Sequence, residues 1–152
     1  MNKLSLYFGL VLFFSSLSSF VWAEEYSKPE VAIKARIAQF KEIKTVFKKL
    51  RFEVVVNDEF NAKTAQNYTK QLVTLNKPLL KMFRVKSAEG KTKALAKVWQ
   101  DWPRFERQMD YFVEAILNTD ESLKYANRED ATMYINQAAK SCKSCHRLFK
   151  KR

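Results

Sequence analysis

Glycine, histidine and cysteine are nearly missing from this 152-residue chain, which has two glycines (Gly9 and Gly90), one histidine and two cysteines. Beyond Gly9 only Gly90 can take up unusual backbone angles cheaply. Alternating β-branched residues are confined to Glu53-Val54-Val55-Val56, so a glycine-punctuated β architecture is excluded and helices are expected. Two cysteines are too few for a disulfide framework, and with one histidine they fall short of the four ligands of a closed structural zinc site. A catalytic His dyad is impossible. Acids are also scarce, 16 against 28 Lys and Arg, giving a formal charge of +12. Such a balance suits anionic partners or a well-solvated surface. No nucleic-acid recognition motif accompanies it, so nucleic acid is not expected as a partner.

The few rare residues stand together. Cys142-Lys143-Ser144-Cys145-His146 holds both cysteines and the histidine within the last eleven residues. On a helix this spacing turns all three side chains toward one object. C-x-x-C-H is the attachment pattern of c-type haem, in which two thiols add to the vinyl groups and the histidine ligates the iron from the proximal side. A disulfide between Cys142 and Cys145, or zinc completed by a carboxylate, are the competing readings of the same five residues.

The N-terminus reads as a cleaved export signal. Lys3 is the positive region, Leu4 to Phe14 the apolar region, and Val21-Trp22-Ala23 a small-residue cleavage site. Serines at 15, 16, 18 and 19 interrupt the apolar run before it reaches spanning length. Residues 1–23 are therefore expected to be removed, leaving 24–152 as one periplasmic domain without a stable membrane span. The signal carries Lys3 and no acid, so its loss lowers the charge by one unit.

Periodicity predicts four helices. The first runs over 30–51, with Pro29 at its start and Ile33, Ile37, Phe40, Ile43, Phe47 and Leu50 as a stripe facing the core. Val54 to Asp58 reads as a connection, with Asn57 or Asp58 capping the next helix. That helix carries Ala65, Tyr68, Leu72, Leu75 and Leu79 and is ended or kinked by Pro78. A long loop spans 86–93. Asp101 caps a third helix with Pro103 in its first turn, reaching about Tyr125, with a weak point at Asn118-Thr119-Asp120. A fourth helix from about Glu129 presents Ile135, Ala139, Cys142, His146 and Phe149 on one face, so that haem is held against the core.

Four segments in this order resemble one family: Lys28-Pro29-Glu30, Lys34-Ala35-Arg36, Val98-Trp99-Gln100-Asp101 with Phe105, and Ser141 to His146. The chain resembles the cytochromes c′ along nearly all of residues 24–152. The resemblance implies an all-α, up-down-up-down four-helix bundle with one covalent haem c, a topology that periodicity alone does not supply. It implies that Arg36 pairs with a haem propionate and that Phe40 covers the distal face of the iron. Phenylalanine cannot coordinate, whereas methionine there would give a six-coordinate electron carrier. The expected iron is five-coordinate and open to small diatomic gases such as NO and CO.

The family also implies a homodimer through the first two helices. Many members carry an arginine four residues after the haem histidine, and here Lys150 stands instead. Met82, Met109 and Met133 read as packing residues, and Phe83 and Trp99 as packing or haem-edge residues. With His146 committed as a ligand no general base remains, so binding rather than turnover is expected. An electron carrier docking an acidic redox partner, and a haem-free helical adaptor, are the alternatives.

Overall fold

The computed structural model describes Tyr26 and residues 28–152, so the expected export signal lies outside the described residues. Four long helices dominate: α1 (Pro29–Arg51), α2 (Ala62–Asn76), α5 (Trp102–Lys124) and α6 (Arg128–Phe149). Two short helices, α3 (Leu79–Arg84) and α4 (Lys97–Gln100), lie in the passage from α2 to α5. Each long helix packs against the next in sequence, and α3 packs on α1. Among the described residues the sole β feature is the bridge between Ala94 and Lys150.

Local chemistry explains the boundaries. Pro29 occupies a first-turn position of α1, where no N–H is needed. Asn61 caps α2, its side-chain oxygen accepting from the Thr64 N–H at 2.9 Å, and Asn127 caps α6 in the same way from Asp130 at 3.1 Å. Pro78 follows the end of α2 as expected, and Leu79 falls in α3 instead of α2. Asp101 precedes α5 without a side-chain capping bond.

Several expectations are corrected. The Val54-Val55-Val56 segment is not a simple connection, because α1 continues as a π-helical turn over Phe52–Val56. Arg128 holds that turn, donating from Nε to Val54 O at 2.7 Å and from an Nη to Asn57 O at 2.8 Å. The cap of α2 is Asn61, not Asn57 or Asp58. Asn57 spends its side-chain oxygen on the Glu59 N–H. The predicted weak point at 118–120 is continuous helix. Thr119 donates back to Ala115 O, and Thr69 of α2 donates to the Asp120 carboxylate, converting polar residues into a bond between helices.

The core stripe of α1 also differs. Its buried positions are Ala32, Ile33, Arg36, Ile43, Val46 and Leu50, while Ile37 is 54% and Phe40 36% exposed. At 3.6 residues per turn the apolar residues of α1 cover two adjoining faces. One packs on α2 and α3, and the other forms an open flank. Fully buried Leu50, Leu72, Leu79, Ile116, Leu123 and Ile135 form the centre of the bundle, each worth about 1.5–3 kcal/mol of transfer from water.

Candidate functional site

The loosest wall of the bundle locates the site. Helices α1 and α2, α2 and α5, and α5 and α6 pack in pairs, whereas α6 packs on the π-helical turn that continues α1 and less closely on Pro29–Arg51 itself. A square bundle would close there along its whole length. The exposed flank of α1 carries Phe40, while Cys142, Cys145 and His146 lie on α6.

Cys142 and Cys145 are partly buried against the core cluster and are free thiols. Burial pushes Cys145 up to about 11, with Cys142 adding to it. Burial also raises Cys142, against a smaller lowering by Ser141. Both groups therefore stay protonated and poorly reactive toward adventitious oxidants near neutral pH. His146 does not lie in the buried stripe, which runs through Ala131, Ile135, Ala138 and Phe149. Both His146 and Ala139 sit at its edge, and His146 is exposed. Partial shielding, then the Lys150 charge, lowers its affinity for a proton, so the ring is neutral at pH 7 with a nitrogen lone pair free for a metal.

Arg36 is the least ordinary residue of the molecule. It is 3% exposed, and its guanidinium donates to Ser87 Oγ at 2.6 Å, to Ser87 O at 3.2 Å and to Thr92 Oγ1 at 3.3 Å. Its carbon lies 4.5 Å from the Phe83 ring centre and 5.6 Å from that of Trp99. Among the described residues no carboxylate balances it, the sole ion pair there being Lys124 with Glu121. Burial lowers its pKa to about 10. A buried cation without a counter-charge is costly unless an anion joins it.

Aromatic rings join these groups across the core. Phe40 meets Phe83 edge-on at 6.1 Å, Phe83 meets Phe105 at 4.7 Å, and Phe105 meets Phe149 of α6 edge-on at 5.4 Å. Trp99 donates its indole N–H to Phe83 O at 2.6 Å, which fixes the platform under Arg36. The nearby Trp102 Nε1 is buried with no hydrogen-bond partner. The segment holding Ser87 and Thr92 is latched to the end of α6 by Leu95 N–H to Phe149 O at 2.9 Å and Lys151 N–H to Lys93 O at 2.7 Å. Ser87 and Thr92 escaped the sequence reading, because loop hydroxyls carry no periodic signal.

Of the methionines, Met82 and Met109 are in the core, as expected. Met133 is not a packing residue. It is 45% exposed on the side of α6 away from the stripe, and thirteen residues before His146 it lies about 20 Å away along the axis. Among the described residues no group of three or more His, Cys, Asp and Glu side chains is placed to hold a metal ion directly.

A haem fits this arrangement. The two thiols and the neutral imidazole match its vinyl groups and iron, the uncompensated Arg36 matches a propionate, and apolar rings match the porphyrin. The family model described as Cytochrome C' matches residues 31–150. Among solved structures, cytochrome c′ from Rubrivivax gelatinosus is 28% identical, with 83% of this chain and 99% of that chain covered at a TM-score of 0.75. Cytochrome c prime from Shewanella frigidimarina is also 28% identical, with 84% and 99% covered at 0.76. A ferrous variant of cytochrome c prime from Alcaligenes xylosoxidans with bound NO is 23% identical, with 84% and 99% covered at 0.76, a likeness of fold. No curated protein sequence matches. Bundle, loose wall and C-terminal motif thus agree with the match over 31–150, and the chain belongs to the cytochrome c′ family.

Proposed function

We propose that this chain is a periplasmic protein with one haem c, bound through Cys142 and Cys145 and ligated by His146, that takes up NO or CO at five-coordinate iron to buffer or detoxify these gases. The cytochrome c′ family implies covalent haem c and is generally non-enzymatic and periplasmic. When bound, the group supplies an iron that accepts a diatomic ligand. The residues of the chain do the rest. Cys142 and Cys145 would hold the group through two thioether bonds, the S–H of each thiol adding across one vinyl group. Arg36 offers a propionate its positive charge and the N–H groups it does not spend on Ser87 and Thr92, and would keep the group oriented. Phe40 offers an apolar ring with no donor atom, which excludes water and gives bound dioxygen nothing to hydrogen-bond.

One observation carries the reading. Phe40, on the exposed flank of α1 and edge-on to Phe83, has no coordinating atom, and His146 is the sole imidazole of the sequence. The buried Met82 and Met109 and the distant Met133 are poorly placed to bind in its stead. Cytochrome c prime from Alcaligenes xylosoxidans solved with bound NO gives a relative in which the gas is held. Optical spectra of the haem-loaded protein test the proposal. A high-spin spectrum that CO and NO convert to saturable adducts is expected, and a low-spin spectrum unmoved by CO overturns it. We further propose a homodimer through α1 and α2, to which Val31 and Ile37, 43% and 54% exposed, contribute apolar surface. Sedimentation equilibrium at micromolar concentration checks the mass.

A further inference from the structure

One hydroxyl beside Arg36 has a hydrogen to give and nothing to receive it. A serine or threonine hydroxyl carries one hydrogen to donate and two lone pairs that accept. At Ser87 the hydrogen is engaged, since Oγ donates to Val85 O at 2.9 Å. That oxygen therefore meets Arg36 Nη1, 2.6 Å away, purely as an acceptor. Thr92 is the reverse case. Its Oγ1 accepts from Arg36 Nη2 at 3.3 Å and from the Ala94 N–H at 3.1 Å. Both lone pairs are thus filled, and the hydroxyl hydrogen has no acceptor among the described residues.

The backbone fixes where that hydrogen starts from. Gly90 takes a φ of 76°, and the Thr92 N–H donates to Gly90 O at 2.8 Å, a tight turn that presents Thr92 to Arg36. On its other side Lys93 O and the Leu95 N–H are tied to the end of α6. Thr92 is held from both helices that flank the loose wall. A donor fixed in this way loses little freedom when an acceptor arrives.

The chemistry of the pair narrows the occupant. A free O–H and the remaining N–H groups of a buried, unbalanced cation stand on atoms 3.3 Å apart. They suit one anion with two oxygens. Chloride has no second atom to offer, and a phosphate dianion carries more charge than one guanidinium balances. We propose that Arg36 and Thr92 form one carboxylate-binding site, Arg36 supplying the charge and Thr92 a hydroxyl hydrogen, with a haem propionate as its occupant. This inference rests on the haem reading above. The propionate stays ionised and no proton is transferred, the Thr92 bond replacing one to water.

Reduced, CO-bound iron is diamagnetic, so NMR of the haem-loaded protein reads the contact directly. The Thr92 hydroxyl proton is expected as a slowly exchanging signal with a nuclear Overhauser effect to the methylene protons of one propionate. A rapidly exchanging proton without that effect overturns the proposal. Spectroelectrochemistry gives a second reading. Thr92→Val keeps the shape and removes the donor, leaving the propionate more of its negative charge, so the reduction potential should fall. Thr92→Ser keeps the donor and should restore the parent value. Equal potentials in the parent and Thr92→Val, or an equal fall in Thr92→Ser, would overturn the proposal. A spectrum unmoved by CO ends the gas-binding reading alone, because reduced low-spin iron is already diamagnetic and the same proton can be observed. A colourless product ends the haem reading, and propionate ion then serves as the probe of the unloaded chain. The Thr92 and Arg36 resonances should shift saturably in the parent and not in Thr92→Val, and a parent that does not respond sinks the carboxylate site itself.

Discussion

Phe40 and Arg36 sit one helical turn apart, yet they answer to different physics. In the proposed haem site Phe40 acts by lacking a donor atom. Phe40→Met places a thioether on the same flank, and its ligation should produce a low-spin spectrum with CO affinity reduced on the order of tenfold if the closed form holds nine-tenths of the population. In the same proposed site Arg36 acts by carrying a charge that no carboxylate among the described residues balances. Removing it in Arg36→Leu should leave the haem-free protein no less stable in urea, because the desolvation of an unpaired cation disappears with its hydrogen bonds, and Ser87 Oγ keeps its bond to Val85 O. In the loaded protein the same change should lower the reduction potential, because a nearby positive charge favours ferrous over ferric iron. Spectroelectrochemistry reads the direction. The candidate attachment residues stand out in the sequence because their spacing is itself the signal. The surroundings of Arg36 do not, since Ser87 and Thr92 lie more than fifty residues away and reach it through tertiary structure alone.

The helices of the bundle are legible wherever local chemistry decides them, as at Pro29, Pro78 and the start of α6. They are misread wherever a distant partner overrides local preference. Asn118-Thr119-Asp120 reads as a break, but Thr119 bonds within α5 and Asp120 accepts from Thr69. Val54-Val55-Val56 reads as a connection, but Arg128, more than seventy residues on, holds it as a π-helical turn. The junction from α5 to α6 shows the reverse case, a tight turn made without the expected residue. Ala126 takes a φ of 51° there, a left-handed conformation that disfavours any side chain. Ala126→Gly is expected to stabilise by about 1 kcal/mol, and Asn127→Ala, which removes the cap beside it, to destabilise by about 1 kcal/mol. Chemical denaturation of the two variants should move in opposite directions from the parent.

At the scale of the whole molecule, three of the four helix pairs of a bundle are closely packed, and the fourth, α1 with α6, meets closely at the π-helical end of α1 and more loosely along Pro29–Arg51. Periodicity could not disclose this, because the apolar residues of α1 merge a core face and an open flank into one stripe. The haem-loaded protein should therefore melt at a clearly higher temperature than the unloaded chain, and differential scanning calorimetry of both forms checks the difference. Without the group, α1 is the long helix with the fewest restraints. A protease offered the unloaded polypeptide should cut within residues 29–51 first, while the α5 and α6 hairpin resists. For a cell making this protein, the supply of the prosthetic group would then decide how much of the newly made polypeptide survives.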